Sequence, residues 1–207
     1  VRLSEKAYHL IKEKILTLEL EPLAVIDEQA LQEDLNLGRT PIREALHRLA
    51  SEGLIMVAPR RGMFVADISI TDLQKIFEMR VLLEGFCARL AVQRASEKQI
   101  AAMIDVLGEL DTVDPTDRRA LLDIDRRCHQ LLYQAANNEF LADHLARLHA
   151  LSLRLWYLTL NRLDDVKGSV QEHCQITEAI RLREGERAQA LVQEHIAHFQ
   201  QEIRRVL

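Results

Sequence analysis

Between Leu35 and Ile42 the chain has room for a single tight turn, and the segments on either side of it are both short amphipathic helices. Asp27 can cap the first, which carries Ala30, Leu31 and Leu35, and Asn36-Leu37-Gly38 supplies residues that tolerate the left-handed conformation ending it. Thr40 suits the N-cap of the second, with Pro41 in the first helical position, where a missing N–H leaves no acceptor unpaired. Ile42, Ala45, Leu46 and Leu49 then share one face, and Arg43, Glu44, His47 and Ser51 share the other. Upstream, Ser4 can cap a helix whose stripe runs through Ala7, Leu10, Ile11, Ile15 and Leu18 to a break at Pro22. Downstream, the β-prone runs Leu54 to Val57 and Met63 to Val65 flank Pro59-Arg60-Arg61-Gly62, a hairpin with an arginine-bearing tip.

Helix, helix, tight turn, helix and hairpin make a winged helix-turn-helix. In such modules the helix after the turn enters the major groove with its N-terminal residues leading, and the fork of an arginine matches O6 and N7 of guanine. Charge follows the same geography. From Gly38 to Gly62 five arginines stand against two glutamates, in a chain whose formal net charge is −5. Contact with a polyanion must therefore come from this local patch and not from the field of the whole molecule. The plainer reading of the same residues is a set of solvated arginines on a small helical domain.

The stretch Leu37-Gly38-Arg39-Thr40-Pro41-Ile42-Arg43-Glu44-Ala45-Leu46-His47-Arg48-Leu49-Ala50-Ser51-Glu52-Gly53-Leu54-Ile55 resembles the helix-turn-helix signature of GntR-type regulators, and Arg61-Gly62-Met63-Phe64-Val65 resembles their wing. The resemblance implies contacts to double-stranded operator DNA from Arg39, Thr40 and Arg43, a phosphate contact from Arg48, and a wing contact at Arg60, Arg61 and Gly62. Two positions depart from the family pattern. Gly38 stands where Ser or Thr is usual, and Leu23 follows Pro22 where Gly is common.

The 207 residues suffice for two modest cores, and we place the boundary between 1–68 and 69–207. With 48% hydrophobic but 4% aromatic residues, and few Pro and Gly, the fold class is mainly α. Arg154 interrupts the longest apolar run, Leu148 to Leu160, so no bilayer-spanning segment is expected. Cys87, Cys128 and Cys174 are odd in number and far apart, which fits reduced thiols in a cytoplasmic protein.

From Thr71 onward the pattern is helical, with breaks near Ser96, across Asp111 to Thr116, at Asn137-Asn138, around Asp164 to Gly168 and at Gly185, giving about six helices. Some of their polar residues fall on the apolar side. Arg80 and Glu84 project among Leu73, Phe77, Cys87 and Ala91, where a charge has to be paired or meet a ligand. An internal Arg80–Glu84 pair and a ligand clamp are equally open. Asp125 and His129, four apart, share a stripe with Leu121, Cys128, Leu132 and Ala136; His173 and His195 each face inward on later helices. One such histidine is most simply a hydrogen-bonded core residue. Three with a carboxylate suit a borderline divalent ion such as zinc or nickel, with coordination positions left for a ligand. His149 and His144 show no such combination, and His198 lies near His195.

Arg80-x-x-Leu83-Glu84, Asp125-x-x-x-His129, Ala136-Asn137-Asn138, Glu172-His173 with Ala179-Ile180, and His195 resemble the FCD ligand-binding domain of the FadR-like subgroup, in its shorter VanR-type variant. That resemblance implies a divalent metal on Asp125, His129, His173 and His195, and a carboxylate-bearing effector bound by Arg80, with Glu84 beside it. The last three ligands, 44 and 22 residues apart, would sit on three helices. The expected protein is a homodimeric repressor whose operator binding responds to a small organic acid. The alternative is a metal-dependent helical enzyme acting on a small carboxylate; against it, no further Glu or His is spaced as a general base and no phosphate loop is present.

Overall fold

The structure, a computed structural model, describes residues 2–207. The chain divides into two compact units, one comprising the residues up to Ile70 together with Ala150–Leu158, the other Thr71–His149 and Thr159–Leu207.

In the first unit α1 (Leu3–Leu16) lies on α3 (Arg39–Ser51), and α2 (Glu28–Leu35) packs on α3 from its own side. Ile11, Ile15, Ile42, Leu46, Leu49 and Leu54 are fully buried between them. Asp27 caps α2 through bonds from the amides of Gln29 and Ala30, and Asn36 turns the chain in the left-handed region, as the sequence implies. Two expected caps are corrected. α1 begins at Leu3 behind Arg2, so Ser4 sits inside its first turn; α3 begins behind Gly38, so Thr40 and Pro41 are its second and third residues. Proline is accepted there because no amide of the first turn has an intrahelical acceptor. The apolar stripe of α1 also shifts. Tyr8 is buried in place of the exposed Leu10, and Leu18 lies beyond the helix at φ 60°.

The wing pairs β1 (Ile55–Ala58) with β2 (Gly62–Val65), in antiparallel register from Ile55 opposite Val65 to Ala58 opposite Gly62. Arg60 at φ 62° and Gly62 at φ 103° turn the tip. The sequence gives no sign of a third partner, yet β2 is bonded on its other side by the segment after α1: Ile26 N donates to Met63 O and Leu23 N to Val65 O, and Val65 N donates to Ala24 O. To reach that register Leu23 adopts φ 65°, a conformation that suits the Gly common at this position and strains the Leu that stands there. The unit is completed by Arg154, fully buried and donating to the carbonyls of Ala66 and Asp67 as the chain leaves β2. Burial draws its pKa down to about 10, and its Nε has no hydrogen-bond partner among the described residues.

The second unit is helical: α4 (Ile70–Arg94), α5 (Glu97–Gly108), α6 (Arg118–Ala135), α7 (Glu139–Thr159), α8 (Val166–Arg181) and α9 (Gly185–Val206), with short 3-10 turns after α5 and α7. The polar breaks in the sequence are caps. Ser96 and Gln99 form a capping box on α5, and Asp117, Asn138 and Asp165 cap α6, α7 and α8. The last break is corrected: the chain turns at Arg183, φ 61°, and Gly185 opens α9. α8 packs against α5, α6 and α9. No helix among the described residues is long and apolar enough to cross a membrane.

A left-handed leucine costs about 1 kcal/mol that glycine does not. Leu23→Gly is therefore expected to stabilise the N-terminal unit by about that amount, read as a raised midpoint in denaturant unfolding.

Candidate DNA-reading head and buried metal centre

At the start of α3 the side chains of Arg39, Thr40 and Arg43 are exposed. Glu28 of α2 stands against both arginines, 3.7 Å from Arg39 Nε and 3.6 Å from Arg43 Nε. Arg48 is held differently. Its guanidinium lies 3.6 Å from the centre of the Tyr8 ring, with Glu5 at 3.0 Å and Glu52 at 3.6 Å. Tyr8 and Lys12 also bond Glu52, so Arg48 belongs to a network tying α1 to the end of α3. Arg60, Arg61 and Gly62 are exposed at the wing tip.

In the second unit the four inward donors meet. One ligand atom each from Asp125, His129, His173 and His195 lies within 4.8 Å of all the others, and all four residues are buried. Asp125 Oδ1 is 3.0 Å from His173 Nε2 and 3.8 Å from His195 Nε2; Asp125 Oδ2 is 3.9 Å from His129 Nε2. Donors about 2.1 Å from one ion are about 3 to 4 Å apart, so these separations suit a common cation. The outer ring nitrogens agree. His195 Nδ1 is 2.7 Å from Glu172 Oε2 and His129 Nδ1 is 2.8 Å from Glu84 Oε2. With these acids on the outer side of the rings, the two Nε2 atoms face each other 3.3 Å apart, the arrangement in which acid-oriented imidazoles serve a cation between them.

Burial tends to raise the Asp125 carboxyl, but His129, the hydrogen bond with His173 and the neighbouring His195 hold it well below the carboxylate range. Burial acts on Glu84 in the same sense and is overcome by Arg80, whose Nε is 2.6 Å from Oε1, and by His129. The internal Arg80–Glu84 pair is therefore present. Burial, and then His195, push His173 down to about 4.

Two residues of the centre escape the sequence reading. Glu172 orients His195 and also bonds His198 Nδ1 at 2.7 Å; it stands beside His173 in the FCD resemblance, which assigns it no role. His149, set aside from the pattern of α7, is buried with its ring 4.5 Å from that of His129. α7 is buried almost all round from His149 to Trp156, so periodicity marks no inner face.

A winged helix-turn-helix with exposed arginines, on the same chain as an all-helical unit, defines a DNA-binding transcription regulator. Residues 3–65 match the bacterial regulatory proteins of the gntR family and residues 75–198 match the FCD domain. The chain belongs to the GntR family and carries an FCD domain. It is 32% identical over 177 residues to the Nta operon transcriptional regulator of Aminobacter aminovorans, covering 85% of this chain and 83% of that protein. It is 24% identical to the HTH-type transcriptional repressor RspR of Escherichia coli over 204 residues, covering 98% and 90%. Its fold matches E. coli McbR/YncC with a TM-score of 0.88 at 20% identity, covering 99% and 98% of the two chains. It also matches the metal-free FCD domain of TM0439 with a TM-score of 0.55 at 22% identity, covering 66% of this chain and 94% of that one. The relatives named are regulators, not enzymes.

Two outcomes follow from this geometry. Glu28→Gln removes the negative charge that stands against Arg39 and Arg43, so affinity for duplex DNA should rise about threefold on cognate and scrambled sequences alike, measured by fluorescence anisotropy. In chelator-treated protein, stability should fall as pH drops from 6.5 towards 4, since His173 stays neutral when folded while the unfolded chain takes up the proton. Chemical denaturation across that range would detect it.

Proposed function

We propose that the chain is a homodimeric repressor, with a DNA-binding domain at 1–68 and an effector domain at 69–207, whose hold on a pseudo-palindromic operator is set by a small organic acid bound beside a divalent metal. The reading is carried by one observation: Asp125, His129, His173 and His195 turn four donors from three helices into one buried chamber. Zinc fits the donor set, and nickel is the alternative. When bound, the metal supplies a Lewis-acidic anchor for a carboxylate. Glu84 and Glu172 fix the rings of His129 and His195, and Arg80 offers its charge from α4.

Arg39, Thr40 and Arg43 would read bases, the wing residues Arg60 to Gly62 would follow the backbone, and Arg48, already stacked on Tyr8, would meet a phosphate with what remains of its fork. The homodimer is supported by an apolar stripe on α4, where Met79, Leu82 and Phe86 are exposed at helical spacing. Two-fold symmetry would present the two recognition helices to successive half-sites. Differential affinity of the acid for two placements of the reading heads would shift operator binding. The assembly is placed in the cytoplasm.

Arg39→Ala with Arg43→Ala should abolish selective protection of the operator in footprinting while leaving metal content unchanged. Native mass spectrometry of protein purified without chelator should report a dimer with an ion on each subunit. Apoprotein as stable to heat as untreated protein, with no metal mass, would remove the metal from this reading.

A further inference from the structure

The Asp125 carboxylate divides the imidazoles around it into two pairs. Oδ1 faces His173 and His195; Oδ2 faces His129 and His149, each with Nε2 at 3.9 Å. His149 is thus as near the carboxylate as His129 is, and it is equally buried. It nevertheless falls outside the set of donors that lie mutually within 4.8 Å. The four donors close on one another without it, and His149 flanks them on the Asp125 Oδ2 side.

A hollow of about 640 Å³ at the junction of α6 and α7 is lined by Tyr133, Asn137, Asn138, Phe140 and Asp143 among others. Tyr133 is common to both spaces. Its ring centre is 6.0 Å from that of His129 and 6.2 Å from that of His149, and its hydroxyl is 3.5 Å from His129 Nδ1.

We propose that His149 is a ligand-recognition residue: its imidazole N–H donates to an oxygen of a carboxylate or similar small oxyanion seated in the open coordination position, with Tyr133 between that position and the hollow at the surface. This rests on the metal reading above. It also assigns α7 a direct part in sensing, in addition to the three helices that supply the four donors.

The test uses full-length protein loaded with cobalt(II), whose d–d absorption reports coordination, titrated with acetate and with azide. In His149→Phe the metal stoichiometry and the anion-free spectrum should match the wild type, while both anions bind at least tenfold more weakly, as loss of a hydrogen bond to a charged group implies. His149→Gln, which keeps a donor and most of the polarity, should recover part of that affinity and guards against a folding defect in the Phe variant. Unchanged anion affinity in both variants would overturn the proposal and leave His149 a core residue. A weakened metal site with an altered anion-free spectrum would overturn it in favour of a fifth metal ligand. A wild-type protein that takes up no cobalt would bring down the metal reading itself, a failure distinct from the other two.

Discussion

The helical unit is organised by a carboxylate taken out of water. Asp125 lies at the centre of the bundle, and an isolated ion there would be prohibitively unfavourable. Its surroundings are therefore dictated. Each oxygen needs donors or cations, and donors at that depth can come only from side chains on neighbouring helices, hence His129 from its own helix, His149 from α7, His173 from α8 and His195 from α9. The second carboxylate, Glu84, repeats the problem one layer out and is answered by Arg80 and His129. Helix positions that could have been apolar and interchangeable are in this way tied to one register.

In the N-terminal unit the corresponding constraint is a turn. The short passage from α2 to α3 fixes the angle at which α3 leaves the core and so exposes Arg39, Thr40 and Arg43 together. The same economy draws Glu28 against two of them. Arg48 is spent largely on the fold, stacked on Tyr8 and braced by acids, whereas Arg39 and Arg43 at the helix start face Glu28 at longer distances.

Much of this was legible because most of the helices are two-faced. Where one side is plainly wet, as on α6 with Arg126, Arg127 and Gln130, an aspartate or histidine on the other side stands out, and Asp125 and His129 could be picked from the sequence. On α7 the rule fails. Ala150, Leu153, Leu155 and Trp156 are buried in near succession, no wet face serves as reference, and His149 and Arg154 pass for incidental polar residues in an apolar run. The caps tell a similar story. Asp27, Ser96, Asp117 and Asn138 announce helix starts because their side chains are needed there, while Ser4 and Thr40 mislead because α1 and α3 begin without any side-chain cap. The strand pairing after α1 leaves no local trace, since it depends on where β2 comes to rest.

The boundary between the compact units runs through the middle of a helix: Ala150–Leu158 of α7 group with the N-terminal residues, and His149 just before them groups with the Asp125 cluster. Dissecting the protein at the obvious joint, the short connection ahead of α4, would consequently not yield two finished pieces. An N-terminal fragment would lack Arg154, leaving the carbonyls of Ala66 and Asp67 without that donor, and a C-terminal fragment would carry Leu153, Leu155 and Trp156 without the residues they group with. Recombinant halves cut there would be expected to aggregate, and engineered chimeras that graft this sensor onto another reading head would have to carry the far end of α7 with the head.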